Sequence, residues 1–349
     1  MNKSTSESAI VTLGVDLAKN IFQLHGVDAA GQVVMQRVVR RREFLRLLSG
    51  IPRCLIGMEA CATSHYWARC LMELGHEVRL IPPTYVKAYV RRQKNDAADA
   101  AAICEAVSRP SMRFVPVKSE TQQSRLMLHR ARELLVRQRI ALINALRGHL
   151  AEFGVVAPQG ARHVGGLVAL LEDASDGRLP AVVRVALMPL AAQLRNLDMS
   201  IGALDQQILM QHRNDPTSRR LATVPSVGPL IASAVTASVT DVSMFGSGRE
   251  FAAFLGLVPR QSSSGGKERL GRISKMGDRY LRKLLVVGAT AVLRYAKKGN
   301  SALKLWAQRL LAKKPFKVVA VALANKTARI IWALLRRGGV YRTQVMQAA

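Results

Sequence analysis

The sequence predicts an α/β domain at the N-terminus, followed by a helical middle region and a mainly helical C-terminal region. Short apolar and β-branched runs alternate with helical patterns over residues 10–112. Two long amphipathic patterns follow, over residues 119–153 and 181–212. Beyond them, short helical patterns alternate with turns rich in glycine and serine. We therefore expect three domains, with the bounds 1–112, 113–215 and 216–349.

The first domain has the element order of a ribonuclease-H-like sheet. Apolar runs predict five strands, over residues 10–15, 21–27, 32–39, 54–58 and 77–81. The first three are joined by short turns, as in an antiparallel meander, and helices separate the last two. The helical patterns cover residues 43–48, 64–74, 85–92 and 96–107.

The middle region is predicted to form a helical hairpin. Leu128, Leu135 and Leu142 recur every seven residues in its first helix. Such spacing is typical of a coiled coil, which serves either packing within one chain or oligomerisation. Residues 160–180 are expected to be looser, because glycine pairs such as Gly165-Gly166 interrupt the helical pattern.

Two stretches of the C-terminal region are rich in residues that favour turns. Residues 221–232 have the character of a helix–hairpin–helix element, whose turn amides can receive a phosphate, although Ser226 replaces the usual first glycine. Residues 256–267 are predicted to be a flexible polar loop containing Ser262-Ser263-Ser264-Gly265-Gly266. Such composition is ordinarily a linker. A serine hydroxyl among cations can instead attack a phosphodiester while the cations stabilise the transition state.

The chain is strongly basic, with 52 Lys+Arg against 23 Asp+Glu and a formal net charge of +29. A globular chain with this charge repels itself, so we expect a polyanionic partner. No acidic residue follows Asp278, and the tail beyond it is expected to lie against phosphate. The basic residues that we expect to contact nucleic acid are Arg91, Arg92, Lys94, Arg260, Lys267, Arg269, Arg272, Lys275, Arg279, Arg282 and Lys283.

Several classes of protein are excluded at this level. The four cysteines, Cys54, Cys61, Cys70 and Cys104, form no C-x-x-C pair, so we expect reduced thiols in a core rather than a zinc or redox site. The N-terminus lacks the basic-then-apolar pattern of a secretion signal. No uncharged apolar window reaches the ~18 residues of a membrane span. The sequence therefore predicts a soluble, cytoplasmic protein without a membrane partner.

Four acids stand where a ribonuclease-H-like sheet brings side chains together. Asp16 ends the first strand and Glu59 the fourth, and these strands are neighbours in that fold. Asp96 and Asp99 lie three residues apart and share a helix face. Carboxylates suit Mg²⁺, and two ions ~4 Å apart can serve phosphoryl transfer. The alternative is a helix cap at Asp96 and solvated acids elsewhere. The ordered set favours the metal site, because a strand-end acid costs folding energy unless its charge is used.

The chain resembles the DEDD-type insertion-sequence transposases, which are related to Piv-type DNA invertases and include bridge-RNA-guided recombinases. The likeness is carried by Gly14-Val15-Asp16, Gly57-Met58-Glu59-Ala60, the stretch Lys94-Asn95-Asp96-Ala97-Ala98-Asp99-Ala100, and residues 256–277. The resemblance implies a RuvC-like N-terminal domain, a coiled-coil middle and a C-terminal transposase domain.

The resemblance also implies roles for particular residues. Asp16, Glu59, Asp96 and Asp99 would hold Mg²⁺, and Ser264 would be the nucleophile that links covalently to a DNA 5′ phosphate. Ser262 and Ser263 adjoin Ser264, so the assignment among the three serines stays open. Donor and target DNA, a structured guide RNA, and a homo-oligomer (a dimer or tetramer) whose protomers share one composite site are the implied partners.

The sequence therefore predicts a transposase that excises and inserts its insertion sequence. A DNA invertase or junction-resolving nuclease that needs no guide is the second hypothesis, and RNA bound to the purified protein distinguishes the two. The third is a non-catalytic basic nucleic-acid-binding protein, which predicts salt-sensitive binding without Mg²⁺-dependent strand exchange.

Overall fold

The structure is a computed structural model that describes residues 9–89, 96–296 and 301–343. It divides into two compact units, Met1–Glu120 and Thr121–Ala349. The first unit is a mixed α/β unit and the second is mostly helical.

The first unit is built on one five-stranded sheet. Its strands are β1 (Thr12–Leu17), β2 (Ile21–Val27), β3 (Val33–Arg40), β4 (Leu55–Glu59) and β5 (Glu77–Ile81). They lie in the order β3-β2-β1-β4-β5. The pairs β1–β2 and β2–β3 are antiparallel, whereas β1–β4 and β4–β5 are parallel. The predicted meander with two further strands is confirmed, and the topology is compatible with a RuvC-like domain.

Helices cover both faces of this sheet. They are α1 (Phe44–Ser49), α2 (Ser64–Glu73), α3 (Pro83–Val86) and α4 (Asp96–Val107). On one face Leu13 and Val15 of β1 form a core with residues of α1 and α2, including Phe44 and Trp67. Helix α4 packs on the other face, against β1, β2 and β4.

One predicted helix of this unit is wrong in its bounds. The pattern over residues 85–92 predicts a helix that starts at Tyr85, whereas α3 starts at Pro83 and ends at Val86. Proline suits the first turn of a helix because its missing N–H would have no intrahelical partner there. Arg91, Arg92 and Lys94 lie outside the described residues.

The second unit contains nine described helices and a small hairpin. The helices are α5 (Glu120–Ala151, which starts at the last residue of the first unit), α6 (Val164–Glu172), α7 (Ala181–Asn214), α8 (Pro216–Leu221), α9 (Pro229–Ser238), α10 (Gly248–Phe254), α11 (Arg279–Arg294), α12 (Ala302–Leu311) and α13 (Phe316–Arg337). The hairpin strands are β6 (Pro259–Gln261) and β7 (Leu270–Ile273). Residues of α8 to α13 share one large core.

The two long helices of this unit run antiparallel. Arg132 of α5 pairs with Asp205 of α7, and one helical repeat further on Arg139 pairs with Asp198 at 3.0 Å. Leu128, Leu135 and Leu142 of the predicted stripe are half-buried, and His129, which lies beside them in α5, is buried. The helical hairpin is present, and a coiled coil stays a prediction.

Residues 160–180 are more regular than expected. Helix α6 runs through Gly165-Gly166, because Val164, Leu167 and Leu171 are buried against α7. Packing of an apolar face outweighs the roughly 1 kcal/mol that each glycine costs in a helix.

Helix α13 has the length and mean hydropathy (1.6) of a membrane span. Lys326 and Arg329 interrupt its apolar stretch, and one of its faces is buried in the core shared with α10 and α11. The helix is therefore a core element of the second unit.

Candidate metal centre and serine hairpin

Two glycines allow α4 to lie directly on the sheet. Gly14 of β1 and Gly57 of β4 are paired in register. A Cβ at Gly14 would lie 2.2 Å from the carbonyl oxygen of Ala100, and one at Gly57 would lie 2.7 Å from the Cβ of Val107. No larger residue fits at either position without moving the helix.

Each glycine stands two residues before an acid of the candidate site. Side chains alternate along a strand, so Gly14 shares a sheet face with Asp16, and Gly57 with Glu59. The helix that packs on this face starts at Asp96 and carries Asp99 in its first turn. The close approach at the glycines thus places both acids of α4 over the end of β1.

The structure brings three of the four predicted acids into one cluster. Carboxylate oxygens of Asp16, Asp96 and Asp99 all lie within 4.8 Å of one another. Asp16 and Asp99 are half-buried and Asp96 is exposed. Glu59 lies outside this group. Val15 and Met58 are the last paired residues of β1 and β4, so Asp16 and Glu59 each come directly after that pair on neighbouring strands.

The pKa of Asp16 is raised by this environment. Burial is the largest cause, and the charges of Asp99, Asp96 and Glu59 add to it in that order. Within the described ranges none of the four acids forms an ion pair. Crowded carboxylates without a cation favour protonation, so this position favours a bound cation.

The donor set fits a hard divalent ion. All candidate ligand atoms are carboxylate oxygens, which Mg²⁺ prefers, and Mg²⁺ is commonly held by one or two carboxylates plus water and phosphate oxygens. Asp16, Asp96 and Asp99 would hold the ion, and Glu59 would complete or support the set. Asp96 is the most exposed of these ligands.

The predicted polar loop at residues 256–267 is in part a β-hairpin. Strand β6 pairs with β7, and the backbone N–H of Lys267 donates to the carbonyl of Ser264 at 3.1 Å. Gly265 and Gly266 form the turn, with φ values of +56° and +76°. A two-residue turn with both φ values positive matches the twist of a hairpin and favours glycine at both positions. The Ser-Gly-Gly cluster is therefore a turn and not a linker.

The hairpin distinguishes the adjacent serines. The hydroxyl of Ser263 accepts hydrogen bonds from Gln261 Nε2 at 3.1 Å and from the backbone N–H of Arg269 at 3.3 Å. The exposed hydroxyl of Ser264, beside the turn, has no partner within the described part of the chain. Ser262 joins the ladder through its backbone N–H, which donates to the carbonyl of Arg269 at 2.9 Å.

The predicted cations of this region fall into two groups. Most are exposed on or beside the hairpin, namely Arg260, Lys267, Arg269, Arg272, Lys275 and Arg279. Arg282 is half-buried and donates to the carbonyls of Leu255 at 3.0 Å and Met276 at 2.8 Å. Lys283 lies 3.5 Å from Glu133. Arg282 therefore anchors the base of the hairpin, and Lys283 forms an ion pair with Glu133 of α5.

The turn between α8 and α9 contains a left-handed serine. Ser226, where a glycine was expected, has a φ of +78°. Its hydroxyl lies 3.0 Å from that of Thr327, which is buried in α13. Two helices joined by a turn are thus present here, as predicted. Phosphate binding by the amides of this turn stays a prediction.

Sequence reasoning missed two features. The spacing of a glycine two residues before each strand acid was visible in the sequence, but its meaning depends on the helix that packs there. The second is the buried His129, whose Nδ1 lies 3.2 Å from the Tyr280 hydroxyl and whose Nε2 lies 3.1 Å from that of Ser233. Burial and, to a smaller extent, the charge of nearby Arg132 lower the pKa of His129 to about 4.

The cysteines divide between core and surface. Cys54 and Cys104 are buried, and burial raises the pKa of both thiols to about 11. Cys61 is exposed and Cys70 is half-buried. The expectation of core thiols is therefore wrong for Cys61, because its loop faces solvent.

Comparisons with known proteins define the class of the chain. A family model described as a transposase, and named for its DEDD acids and for IS110, matches residues 13–154. A second model, described as the transposase IS116/IS110/IS902 family, matches residues 218–304. The first covers the acid cluster and the second the serine hairpin. The chain is thus a DNA transposase.

Full-length relatives identify the family. A probable family 20 transposase of Pseudomonas aeruginosa is 51% identical over 95% of this chain and 98% of its own length. The transposase for insertion sequence element IS1111A of Coxiella burnetii is 42% identical, over 95% of this chain and 92% of its own. That for IS1328 of Yersinia enterocolitica is 37% identical, over 95% and 98%. The chain belongs to the IS116/IS110/IS902 family of transposases.

Proposed function

We propose that the protein excises and inserts its insertion sequence by a divided active site. Residues 1–112 supply a Mg²⁺ site, residues 113–215 an oligomerisation hairpin, and residues 216–349 the nucleophilic serine. The observation that carries the proposal is the approach of the Asp16, Asp96 and Asp99 carboxylates to within 4.8 Å in a DNA transposase of charge +29.

Mg²⁺, when bound, would polarise a phosphate and neutralise charge that develops during phosphoryl transfer. Asp16 and Asp99 would orient the ion from the half-buried side, and exposed Asp96 would face the substrate.

Ser264 is the proposed nucleophile at the second half of the site. Support comes from its exposed hydroxyl, its place beside the two-residue turn at Gly265 and Gly266, and the cations on the same hairpin. Attack by the Ser264 oxygen on a DNA phosphorus forms a phosphoserine ester, and the displaced DNA oxygen leaves with a proton. Nearby Arg260, Lys267 and Arg269 would stabilise charge on the phosphate.

We further propose that the enzyme acts in the cytoplasm as a dimer or tetramer guided by an element-encoded RNA. The basic surface and the long helical hairpin support this assembly without specifying it. Sequencing RNA that co-purifies with the protein tests it. A uniform element-encoded RNA supports guidance, whereas its absence favours a guide-independent recombinase.

A plasmid excision and insertion assay tests the catalytic assignment. Asp16→Asn and Ser264→Ala are each expected to reduce recombination by about 10³-fold or more, because each removes a group acting on the reacting phosphate. Ser263→Ala is the matched control and should stay within about tenfold of wild type, because it removes only two local hydrogen bonds.

Full recombination by either Asp16→Asn or Ser264→Ala would show that its catalytic role is wrong. Loss with Ser263→Ala and retention with Ser264→Ala would move the nucleophile by one residue. A covalent DNA adduct mapped by mass spectrometry to Ser264 would identify it directly.

A further inference from the structure

A pocket lined by cations lies between α10 and α13, within the second unit. It has a volume of about 430 Å³, and ligand pockets commonly have roughly 300–1,000 Å³. The described residues that line it include four cations, Arg249, Lys326, Arg329 and Arg337, and no acid. Like charges repel one another, so a group of cations without an acid favours a bound anion.

Three of these cations lie on one face of α13. Lys326 and Arg337 are about three helical turns apart and project in nearly the same direction, and Arg329 is about one turn from Lys326. Thr327 and Ile331, on the other side of the helix, are buried in the core. The three cations therefore form a row about 16 Å long on the exposed side of α13.

The fourth cation comes from a distant segment. Arg249 is in the first turn of α10, which packs directly on α13, because a Cβ at Gly248 would lie only 3.2 Å from the Cα of Arg329. The adjacent acid, Glu250, accepts a hydrogen bond from the backbone N–H of Gly246 at 2.9 Å and does not line the pocket. Packing of the two helices thus brings Arg249 to the row on α13.

The cations of the pocket are not neutralised. None of the four forms an ion pair in the part of the chain that the structure describes. No acidic side chain follows Asp278 in the sequence, so α12 and α13 have none to offer. Lys326 is held in place, with its Nζ 4.8 Å from the centroid of the Trp306 ring, whereas the three arginines are exposed.

Helix stability does not account for this arrangement. A cation in the last turn of a helix is stabilised by the helix dipole, which applies to Arg337. It does not apply to Arg329 in the middle of α13, or to Arg249 at the start of α10. The arrangement is instead suited to an anion that enters from solvent.

We propose that Arg249, Arg329 and Arg337 bind backbone phosphates of the DNA on which the transposase acts. Arginine is the side chain best suited to bind phosphate with two hydrogen bonds. A row of about 16 Å spans several phosphates of one DNA strand, which rises about 3.4 Å per nucleotide, so it fits an extended backbone better than a free phosphate ion. The proposal rests on the proposed function for its DNA partner, and it involves neither the metal site nor Ser264.

Salt-dependent DNA binding tests the proposal with the full-length protein. The probe is a fluorescein-labelled DNA duplex, with an RNA duplex of equal length as a second probe. Each phosphate contact contributes about 0.9 to the slope of log K against log salt. Arg249→Gln, Arg329→Gln and Arg337→Gln should each reduce this slope for DNA by about 1, and the double variant of Arg249 and Arg337 by about 2.

Arg336→Gln is the matched control, because Arg336 is an exposed arginine of the same helix that does not line the pocket. Its slope should change by less than half as much. Pocket variants with the same slope as Arg336→Gln would overturn the proposal, as would a loss confined to RNA. Melting temperatures check the fold, and if Arg329→Gln is destabilised, the exposed Arg249 and Arg337 decide the outcome.

The outcome separates this proposal from the proposed function. Ser264→Ala removes no charge, so it should retain the DNA-binding slope while losing recombination. If Ser264→Ala recombines normally, its catalytic role fails whatever the slopes are. If Ser264→Ala is inactive and the pocket variants match Arg336→Gln, only the phosphate pocket fails.

Discussion

The acid cluster and the serine hairpin are built in opposite ways. The acids are held by a helix that packs backbone to backbone on two strands, at Gly14 and Gly57. The hairpin is exposed except at Ile273, and its turn is formed by its own Gly265 and Gly266. Residues distant in sequence thus define the metal site, whereas the serine lies within one continuous hairpin, residues 259–273.

This difference has a chemical reason. Metal ligands must converge to within a few ångströms and stay there, and the sheet and helix hold them in that arrangement. A nucleophile that acts on DNA needs access, and a short hairpin provides it. A substitution that disturbs the packing of α4 on the sheet should therefore destabilise the whole first unit. A substitution in the hairpin should change only the local structure there.

The largest effect is expected for Gly14→Ala. Its Cβ would overlap the carbonyl oxygen of Ala100 at 2.2 Å, so α4 must move. We expect a loss of about 3 kcal/mol in the free energy of unfolding, together with weaker Mg²⁺ binding. Chemical denaturation and calorimetric Mg²⁺ titration measure the two effects.

Gly50→Ala is the control for this substitution. Gly50 is in the same unit, has a φ of −88°, and its added Cβ would lie at an ordinary 3.5 Å from the nearest atom. It should bind Mg²⁺ as wild type does. Equal Mg²⁺ affinity in Gly14→Ala and wild type would contradict the packing argument.

A second prediction concerns pH and the core of the second unit. Folding lowers the pKa of His129 from 6.5 to about 4, chiefly by burial. The unfolded chain then binds more protons between these values, so the free energy of unfolding falls as pH decreases from 6.5 to 4. The shift corresponds to a contribution on the order of 3 kcal/mol above pH 6.5.

In His129→Gln the free energy of unfolding should depend less on pH between 4 and 6.5, since glutamine cannot be protonated in this range. Urea unfolding from pH 4 to 7 measures it. His149→Gln, an exposed histidine of the same helix α5, should leave the dependence as in wild type. The same pH slope in His129→Gln and wild type would show that His129 is not the group responsible.

The smallest change in stability is expected for Gly265→Ala. Alanine at a φ of +56° costs about 1 kcal/mol, confined to the exposed hairpin. Global unfolding and Mg²⁺ binding should be unchanged, while recombination falls because Ser264 is displaced. Gly271→Ala, whose added Cβ would lie 3.7 Å from its nearest neighbour, is the control. A global destabilisation by Gly265→Ala would contradict the local character of the hairpin.

Much of the first unit was predictable from local patterns. The bounds of β2, β5 and α4 agree with the predicted ranges, because alternation and apolar spacing are set by nearby residues. The positions of the acids at the ends of β1 and β4 were predictable for the same reason. The likeness to DEDD transposases then predicted the family, which the comparisons confirmed.

The sequence by itself therefore determined the element order, the basic charge, the candidate acids and the family. Only the tertiary structure decided which acids meet, since α4 reaches Asp16 through the space left by Gly14 and Gly57. It also decided that α6 continues through two glycines and that Arg282 anchors the hairpin. These outcomes depend on contacts between segments distant in sequence, and local patterns carry no information about such contacts.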